Sequence, residues 1–399
     1  MAEKRVYGVG LDAGSNRTRM VICALENGCV RFLGAAAIPS EGWLRGRIAD
    51  QQAVTESVSA VLRQAQTAAG VEVGALVAGM GGPTARGGNA RGIVEMGMIR
   101  EVEQRDVNRA VDRASRVRLQ EDRMVLQLFP QDFMVDGHPG HADPRYMLAS
   151  RLELNVHVVT VSVQEHNSLV GAVNQAHLVV EETVFEGLAA CYAAVLPEDR
   201  REGVAVLDIG AQSAELVAYY GDAMHLATTI RICGDLFTRD LAQGLHISFE
   251  DAELLKLEYG GAVAEYCAAN ALIELPAPES RYPRDARRRV INQILEARAE
   301  ELFCLARAEL ARVGMDRALI GGVFLTGGAA RLPDLCDVAE RIFECQACYG
   351  LAAGIRDWPD EMDDPEWSTA AGLAMYSAKL KAQAERQRAA AGWLGRMLR

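Results

Sequence analysis

The chain has 399 residues, 50% of them hydrophobic and 24% charged, with a net charge of −12 at pH 7. That length exceeds what one hydrophobic core holds, so two or more domains are expected, and the acidic surplus argues against nucleic acid as a general partner. No run approaches the roughly 18–20 apolar residues of a membrane span, and the opening MAEKRVYGVG reads as the start of a strand rather than a signal peptide.

Taken in chain order, VYGVGLDAGSNRTRMVICAL reads as a strand, a polar turn and a returning strand, and VRFLGAAAI as a third strand followed by the loop PSEGWLRGRIAD. A helix is expected from about Gln51 to Ala69, where Val54, Val58, Val61 and Leu62 recur at helical spacing. VGALVAGM is a buried strand that runs into the turn-rich GGPTARGGNARG. Residues 84–163 read as a compact insertion. It holds a helix that opens on Glu101, Glu103 and Asp106, and strands at MVLQLFPQDFMVDG and RLELNVHVVTVSV. QEHNSLVGAVNQAHL and EGLAACYAAVL are helices on either side of the strand VVEETVF. From Val204, VAVLDIGAQSAELVAYYGD repeats the strand–turn–strand pattern. Next comes the helix SFEDAELLKLEYG, with Ser248 as N-cap and Gly260 as stop. A Pro-rich loop then leads to a long helix from about Asp285 to Gly314. ALIGGVFLTGGAARLPDLCDVAERIF is strand, Gly-rich turn and helix, and after the acidic loop DWPDEMDDPEW comes STAAGLAMYSAKLKAQAERQRAA, a helix. This alternation makes the fold α/β.

The chemistry lies in the repeat. Asp12-Ala13-Gly14-Ser15 and Asp208-Ile209-Gly210 stand 196 residues apart, about half the chain, each between two apolar strands. An aspartate at a buried strand end is costly unless it faces water or an ion. The glycine that follows lets a row of backbone N–H groups approach a phosphate, and the aspartate can hold Mg2+ through water. Two such hairpins facing across a cleft would clamp a nucleotide, and Thr326-Gly327-Gly328-Ala329, between a strand and a helix, would pack against the nucleoside. The nine cysteines are scattered, mostly in apolar surroundings, as suits a reducing cytoplasm. Cys345 and Cys348 form the one CxxC. With no second pair and no nearby His, buried or idle thiols are favoured over zinc or redox use. The segment from Ser377 carries six basic residues and one acidic, against −17 for the rest of the chain. At 100° per residue Trp393, Leu394, Met397 and Leu398 fall at 0°, 100°, 40° and 140°, and Arg396 and Arg399 at 300° and 240°. One apolar face and one cationic face suit an interfacial helix, and a frayed end packed on the body is the plain alternative.

On LDAGSNRTRMVI, PSEGWLRGRIAD, NARGIVEMGMIREVEQRDVNRAVDRA, LFPQDFMVDG, LTGGAARLPDL and DDPEWSTAAGLAMY, the chain resembles the actin/Hsp70/sugar-kinase superfamily, and within it the bacterial actin-like division proteins of the FtsA family. The resemblance covers nearly the whole chain. It implies a two-lobed actin-like ATPase fold with an inserted small α/β subdomain and a C-terminal amphipathic helix. The first lobe would take 1–83 and 164–203 around the insertion 84–163, the second 204–242 and 301–378 around a subdomain at 243–300, and 379–399 would be a basic linker and membrane-targeting helix.

Carried onto this sequence, the resemblance places Asp12, Gly14, Ser15, Asn16 and Arg17 on the first phosphate hairpin, with Arg17 where Lys is usual. Gly210, Ala211, Gln212 and Ser213 fall on the second, Gly234 and Asp235 on a following turn, and Glu253 and Lys256 on a helix face touching adenosine. Thr326, Gly327, Gly328 and Ala329 form the adenosine loop. Asp12 and Asp208 would hold Mg2+ through water, and Glu186, with Asp208, would position the attacking water. The second hairpin departs from the family's Gly-Gly-Gly-Thr. Side chains at Ala211 and Gln212 would narrow the phosphate approach, and Glu215 replaces an Asp, so ATP binding is expected with weak or no ATPase activity. The family further implies self-association into actin-like filaments, contact with membrane lipids and other division proteins, and residence on the cytoplasmic face of the membrane at the division site. It also implies docking of the C-terminal peptide of the division tubulin FtsZ on about Gln243 to Arg289. The basic run Arg281, Arg284, Arg287, Arg288, Arg289 suits a charged peptide or, equally, a solvated helix face. A PilM-type pilus adaptor and a small-molecule kinase share the fold and stand as alternatives.

Overall fold

The structure is a computed structural model that describes residues 6–221, 223–268, 270–275 and 284–397, with side chains up to residue 385 other than that of Arg284. Strands β1 (Val6–Ala13), β2 (Arg17–Glu26) and β3 (Cys29–Pro39) form an antiparallel meander, with Asp12 opposite Arg19 and Ala13 opposite Thr18 at the first turn. The expected loop after β3 is instead a small hairpin, β4 (Trp43–Leu44) and β5 (Arg47–Ile48), whose turn residues Arg45 and Gly46 both have positive φ. Helix α1 (Gln51–Ala69) starts on Asp50, whose carboxylate accepts from the amides of Gln52 and Ala53, and stops at the left-handed Gly70. Strand β6 (Ala75–Met80) then runs parallel to β1.

The insertion is built on β7 (Arg86–Glu101), α2 (Gln104–Ser115), β8 (Arg123–Val135), β9 (His138–His141) and β10 (Leu148–Ser162), with β10 in the middle, paired to β7 and β8. Of the glycine-rich stretch expected as turn, residues 81–85 turn and Arg86 onwards is strand. A side chain at Gly87 would collide with the Ala227 carbonyl and one at Gly92 with the Ala110 carbonyl, so these glycines mark close approaches rather than a reversal. Helix α2 opens on a reciprocal cap between Glu103 and Asp106, and Arg100 holds the fully buried Asp106 carboxylate with two 2.7 Å bonds.

The chain returns through α3 (Val163–Gln175), β11 (Val179–Phe185), α4 (Glu186–Ala194) and the one-turn α5 (Pro197–Arg201). The second lobe begins with β12 (Val204–Ile209), β13 (Ala214–Tyr220) and β14 (Ala223–Ile230), a second antiparallel meander. Helices α6 (Gly234–Leu245) and α7 (Phe249–Tyr259) follow, the latter capped by the Ser248 hydroxyl. Strands β15 (Leu272–Leu275) and β16 (Arg284–Arg287) pair, so Asp285 belongs to a strand and the long helix α8 spans Arg288–Arg312. Strand β17 (Gly322–Thr326), α9 (Leu335–Phe343) and β18 (Ala347–Tyr349) complete this lobe, and β19 (Ile355–Arg356) rejoins the first.

The sheets run β11-β6-β1-β2-β3-β19 in the first lobe and β14-β13-β12-β17-β18 in the second; one apolar core lies within the second lobe, and the other fills the first lobe and reaches one face of β12–β14. The final helix, α10 (Ser368–Met397), crosses the first sheet. It lies so close that a side chain at Gly8 or Gly10 would run into its backbone. Lys381 ties it down by donating to the Tyr7 carbonyl at 3.1 Å and pairing with Glu181 at 3.1 Å. Where the sequence suggests a linker from residue 379, the backbone is one uninterrupted helix: no proline intervenes, and an alanine-rich stretch has every reason to continue. Trp393, Leu394, Arg396 and Met397 are on this helix, with undescribed side chains; Leu398 and Arg399 lie outside the described residues, as does Arg281.

Candidate functional site

The two Asp–Gly hairpins face each other at the bottom of a cleft between the lobes, around a cavity of about 410 Å3. Their geometry is shared. A Cβ on Gly14 would stand 2.9 Å from the Arg17 carbonyl, and one on Gly210 2.9 Å from the Ser213 carbonyl, while the Gly210 amide closes its turn on that same Ser213 carbonyl at 2.9 Å. From the first hairpin Asp12, Gly14, Ser15, Asn16 and Arg17 line the cavity; from the second come Asp208, Gly210, Ala211 and Ser213. The N-terminus of α6 brings Gly234 and Asp235, docked by bonds from their amides to the carbonyls of Gly210 and Ala211 at 2.9 and 2.8 Å.

On the second-lobe side Glu253 and Lys256 of α7 face Gly327, Gly328 and Ala329, with Phe249, Leu257 and Leu332 adding apolar walls suited to a flat ring. Lys256 pairs with Glu253 at 2.7 Å and donates to the Thr238 hydroxyl at 2.8 Å. Two expected residues are absent from the lining. Thr326 is fully buried beneath the loop, at the end of β17. Gln212 extends to the β4–β5 turn, its Oε1 accepting from the Gly46 amide at 2.7 Å, so of the two side chains expected to narrow the phosphate approach only Ala211 lines the cavity.

Four carboxyl groups converge beside the hairpins. Asp12, Asp208 and Glu215 are buried, and Glu186, at the start of α4, shares the space around Gly81 with Glu215. Burial pushes Asp12 up to about 7, against the pull of Arg19 and with the push of Asp208. Burial, reinforced by Asp208, pushes Glu215 up to about 8, and Glu186 is held well above the usual carboxylate range by burial and then by Glu215. Asp208 is raised by burial and steadied by the Thr369 hydroxyl, which donates to it at 2.6 Å from α10. The cluster is short of positive charge. Among the described residues no three His, Cys, Asp or Glu side chains are gathered closely enough to hold a metal ion directly.

The residue types alone did not point to Arg19, Glu366 or the β4–β5 hairpin. Arg19 is buried, 3.7 Å from the Asp12 carboxylate and 2.5 Å from that of Glu366, with its guanidinium over the Trp367 ring. It stands seven residues after Asp12, as Glu215 stands seven after Asp208, so the internal repeat itself carried the signal. The hairpin brings Trp43, Gly46, Arg47 and Ile48 to the lining of the cavity, with Gly46 against Gln212 of the second Asp–Gly hairpin.

Residues 205–372 match the family model of the cell division protein FtsA, and residues 82–160 that of the SHS2 domain inserted in FtsA. The cell division protein FtsA of Pseudomonas aeruginosa is 32% identical over 92% of this chain and 88% of its own, and that of Escherichia coli K12 is 30% identical over 94% and 91%. Among solved structures the fold is similar to that in the PilM–PilN type IV pilus biogenesis complex, with a TM-score of 0.67 at 17% identity over 94% of this chain and 98% of that one. It is also similar to MreB5 of Spiroplasma citri bound to ADP, with a TM-score of 0.57 at 13% identity over 95% and 98%. Two actin-like lobes, an SHS2 insertion and identity near one residue in three along almost the whole length place this chain in the FtsA family of cell division proteins.

Proposed function

We propose that this protein binds Mg·ATP in the interlobe cleft, assembles into actin-like filaments, and tethers the FtsZ ring to the inner face of the cytoplasmic membrane through its C-terminal helix. The observation that carries the nucleotide part is the pair of matched hairpins, Asp12 to Arg17 and Asp208 to Ser213, at one cavity whose volume lies in the range of ordinary ligand sites. Gly14 and Gly210 leave bare backbone where a Cβ would crowd the turn, so the residues fit phosphate. The charge-poor carboxyl cluster fits a hydrated divalent cation, with Asp12 and Asp208 as the groups that would hold its waters. Bound there, Mg2+ would offset the phosphate charge.

The chain's own residues then divide the work. Arg19 and Lys256 supply positive charge, the amides of the two hairpins orient phosphate oxygens, and Phe249, Leu257 and the Gly327–Ala329 loop hold the base away from water. Glu186 is the group within the cluster for orienting a water, and burial, reinforced by Glu215, raises its carboxyl well above the usual carboxylate range, which weakens it as an acceptor and favours slow turnover.

The tether rests on the basic, amphipathic sequence of the tail and on family membership. No helix among the described residues is long and apolar enough to cross a membrane, so attachment would be to the surface. One such tail binds weakly, and a filament that aligns many gains by avidity. The FtsZ peptide would dock on the second-lobe insert, about Gln243 to Arg289, where Arg288 itself is already used in donating to the Tyr259 carbonyl at 2.9 Å. The PilM-type adaptor has the shared fold alone in its support.

Co-sedimentation with anionic liposomes tests the tether. Trp393→Glu should release the protein without altering ATP affinity, and a variant that still pelleted at the wild-type level would remove the tail as anchor. Isothermal titration with Mg·ATP tests the cleft, and no measurable binding would remove the nucleotide reading.

A further inference from the structure

The β4–β5 hairpin is a short element at the mouth of the cavity. Its base is closed by bonds from the amides of Ala49 and Asp50 to the Gly42 carbonyl at 2.8 and 3.0 Å, and Gly42, Arg45 and Gly46 all have positive φ. Its tip lies across the cleft against the second lobe, where the Gly46 amide donates to Gln212 Oε1 at 2.7 Å. The same side chain also reaches the Asp235 carboxyl at the start of α6, where its donor end opposes the rise that burial gives that carboxyl. One amide thus uses its acceptor towards the first lobe and its donor towards the second, which a Gly, Ala or carboxylate at this position cannot do. In this position the Trp43 indole N–H is buried without an acceptor. From its own lobe the hairpin has the packing of Trp43 and Ile48 against the apolar core and an ion pair between Arg47 and Glu165 at 3.1 Å, with Arg47 largely exposed and so weakly held.

We infer that the Trp43–Ile48 hairpin is a gate over the phosphate end of the nucleotide cavity, and that Gln212 is a positioning residue that latches it to the second lobe and slows nucleotide release. The inference rests on the nucleotide reading for what passes the gate, but the latch itself is a property of the empty protein. Gln212 stands where the family resemblance expects a phosphate-loop glycine, so this departure from glycine supplies the side chain that fastens the cleft.

The test uses the full-length protein and Gln212→Met, which keeps the side-chain length and removes both hydrogen bonds. Without nucleotide, hydrogen exchange of the 42–48 backbone should quicken roughly three- to tenfold in the variant, as expected when one such bond is lost, while protection elsewhere in the second lobe stays unchanged. Stopped-flow release of a fluorescent ATP analogue should quicken by a similar factor. Unchanged exchange at 42–48 would overturn the latch, and so would a general loss of protection across the second lobe. Faster exchange with unchanged nucleotide release would overturn the gate. If the wild-type protein binds no nucleotide, the nucleotide reading fails and with it the gate, while the exchange arm still decides the latch.

Discussion

Adjacent glycines in the loop after β17 should answer the same substitution in opposite ways. Gly327 has φ 85 and ψ 165, a region that is essentially glycine's own, and costs a side chain about 1–3 kcal/mol. A methyl there would also collide with Asp208 Oδ1 and stand 2.6 Å from the Ile209 carbonyl, an overpacking worth about 1–3 kcal/mol more. Gly327→Ala should therefore lose about 2–6 kcal/mol. Gly328 has no positive φ, is exposed, and has nothing near its missing Cβ, so Gly328→Ala should stay within about 0.5 kcal/mol of wild type. The collision at Gly327 falls on the carboxylate that Thr369 fixes, so relief by moving Asp208 should also weaken Mg·ATP binding at least tenfold. Urea denaturation followed by circular dichroism, with titration calorimetry on the folded variants, measures both. Equal stability for the two variants, or a Gly327→Ala protein with wild-type ATP affinity, would refute the reasoning.

His157 is buried between lobe and insertion, and burial pulls its imidazole down to about 4. A cation pKa below its unfolded value near 6.5 means stability is whole above 6.5 and is lost as pH falls towards 4, by about 3 kcal/mol. His157→Gln should flatten that slope in pH-dependent denaturation, and parallel curves would contradict it. The raised carboxyls act in the reverse sense: Asp12 and Glu215 keep protons up to about 7 and about 8 when folded but release them near 4 unfolded. Their contribution therefore declines as pH rises from about 4 to 8. Thermal scans with and without Mg·ATP should show that decline lessened by the ligand, and an unaltered slope would place the ligand away from the cluster. Glu186→Ala should lower any phosphate release while leaving ATP affinity within about threefold, and a large loss of affinity would reassign Glu186 from water to ligand.

The hairpins were legible because their chemistry is written in residue types, Asp then small then Gly, and written twice. What escaped depends on neighbours distant in the chain. The run from Arg86 to Gly92 looks like turn because glycine is the usual turn residue, yet Gly87 and Gly92 are there because the carbonyls of Ala227 and Ala110 fill the space. Two-residue strands such as β4 and β5 carry no periodicity to read. Arg284–Arg287 resembles the face of a helix until Leu272–Leu275 is found opposite it. Gln212 shows the limit for the site: its identity announced a departure from glycine, but its direction is set by Gly46 and Asp235. Arg19 was within reach, since laying one repeat on the other puts it opposite Glu215.

Strand β14 ends the second sheet, and an unpaired strand edge is an invitation to any other extended chain. The insertion declines that invitation on the protein's behalf. Ala227 gives its amide to His157 Nε2 at 3.0 Å, the Met224 carbonyl takes a bond from Gln131 at 3.0 Å, and the backbone at Gly87 lies against Ala227. The domain that interrupts the first lobe thus acts as bumper for the second. A chain spliced from Pro83 to Gln164 would lose Ala85, Val159 and Val161 from the first-lobe core and emerge with bare edge amides and a tendency to clump. Loss of function in such a splice would report stickiness as readily as the loss of a docking partner, and single substitutions on the outer face of the insertion are the cleaner way to ask what it binds.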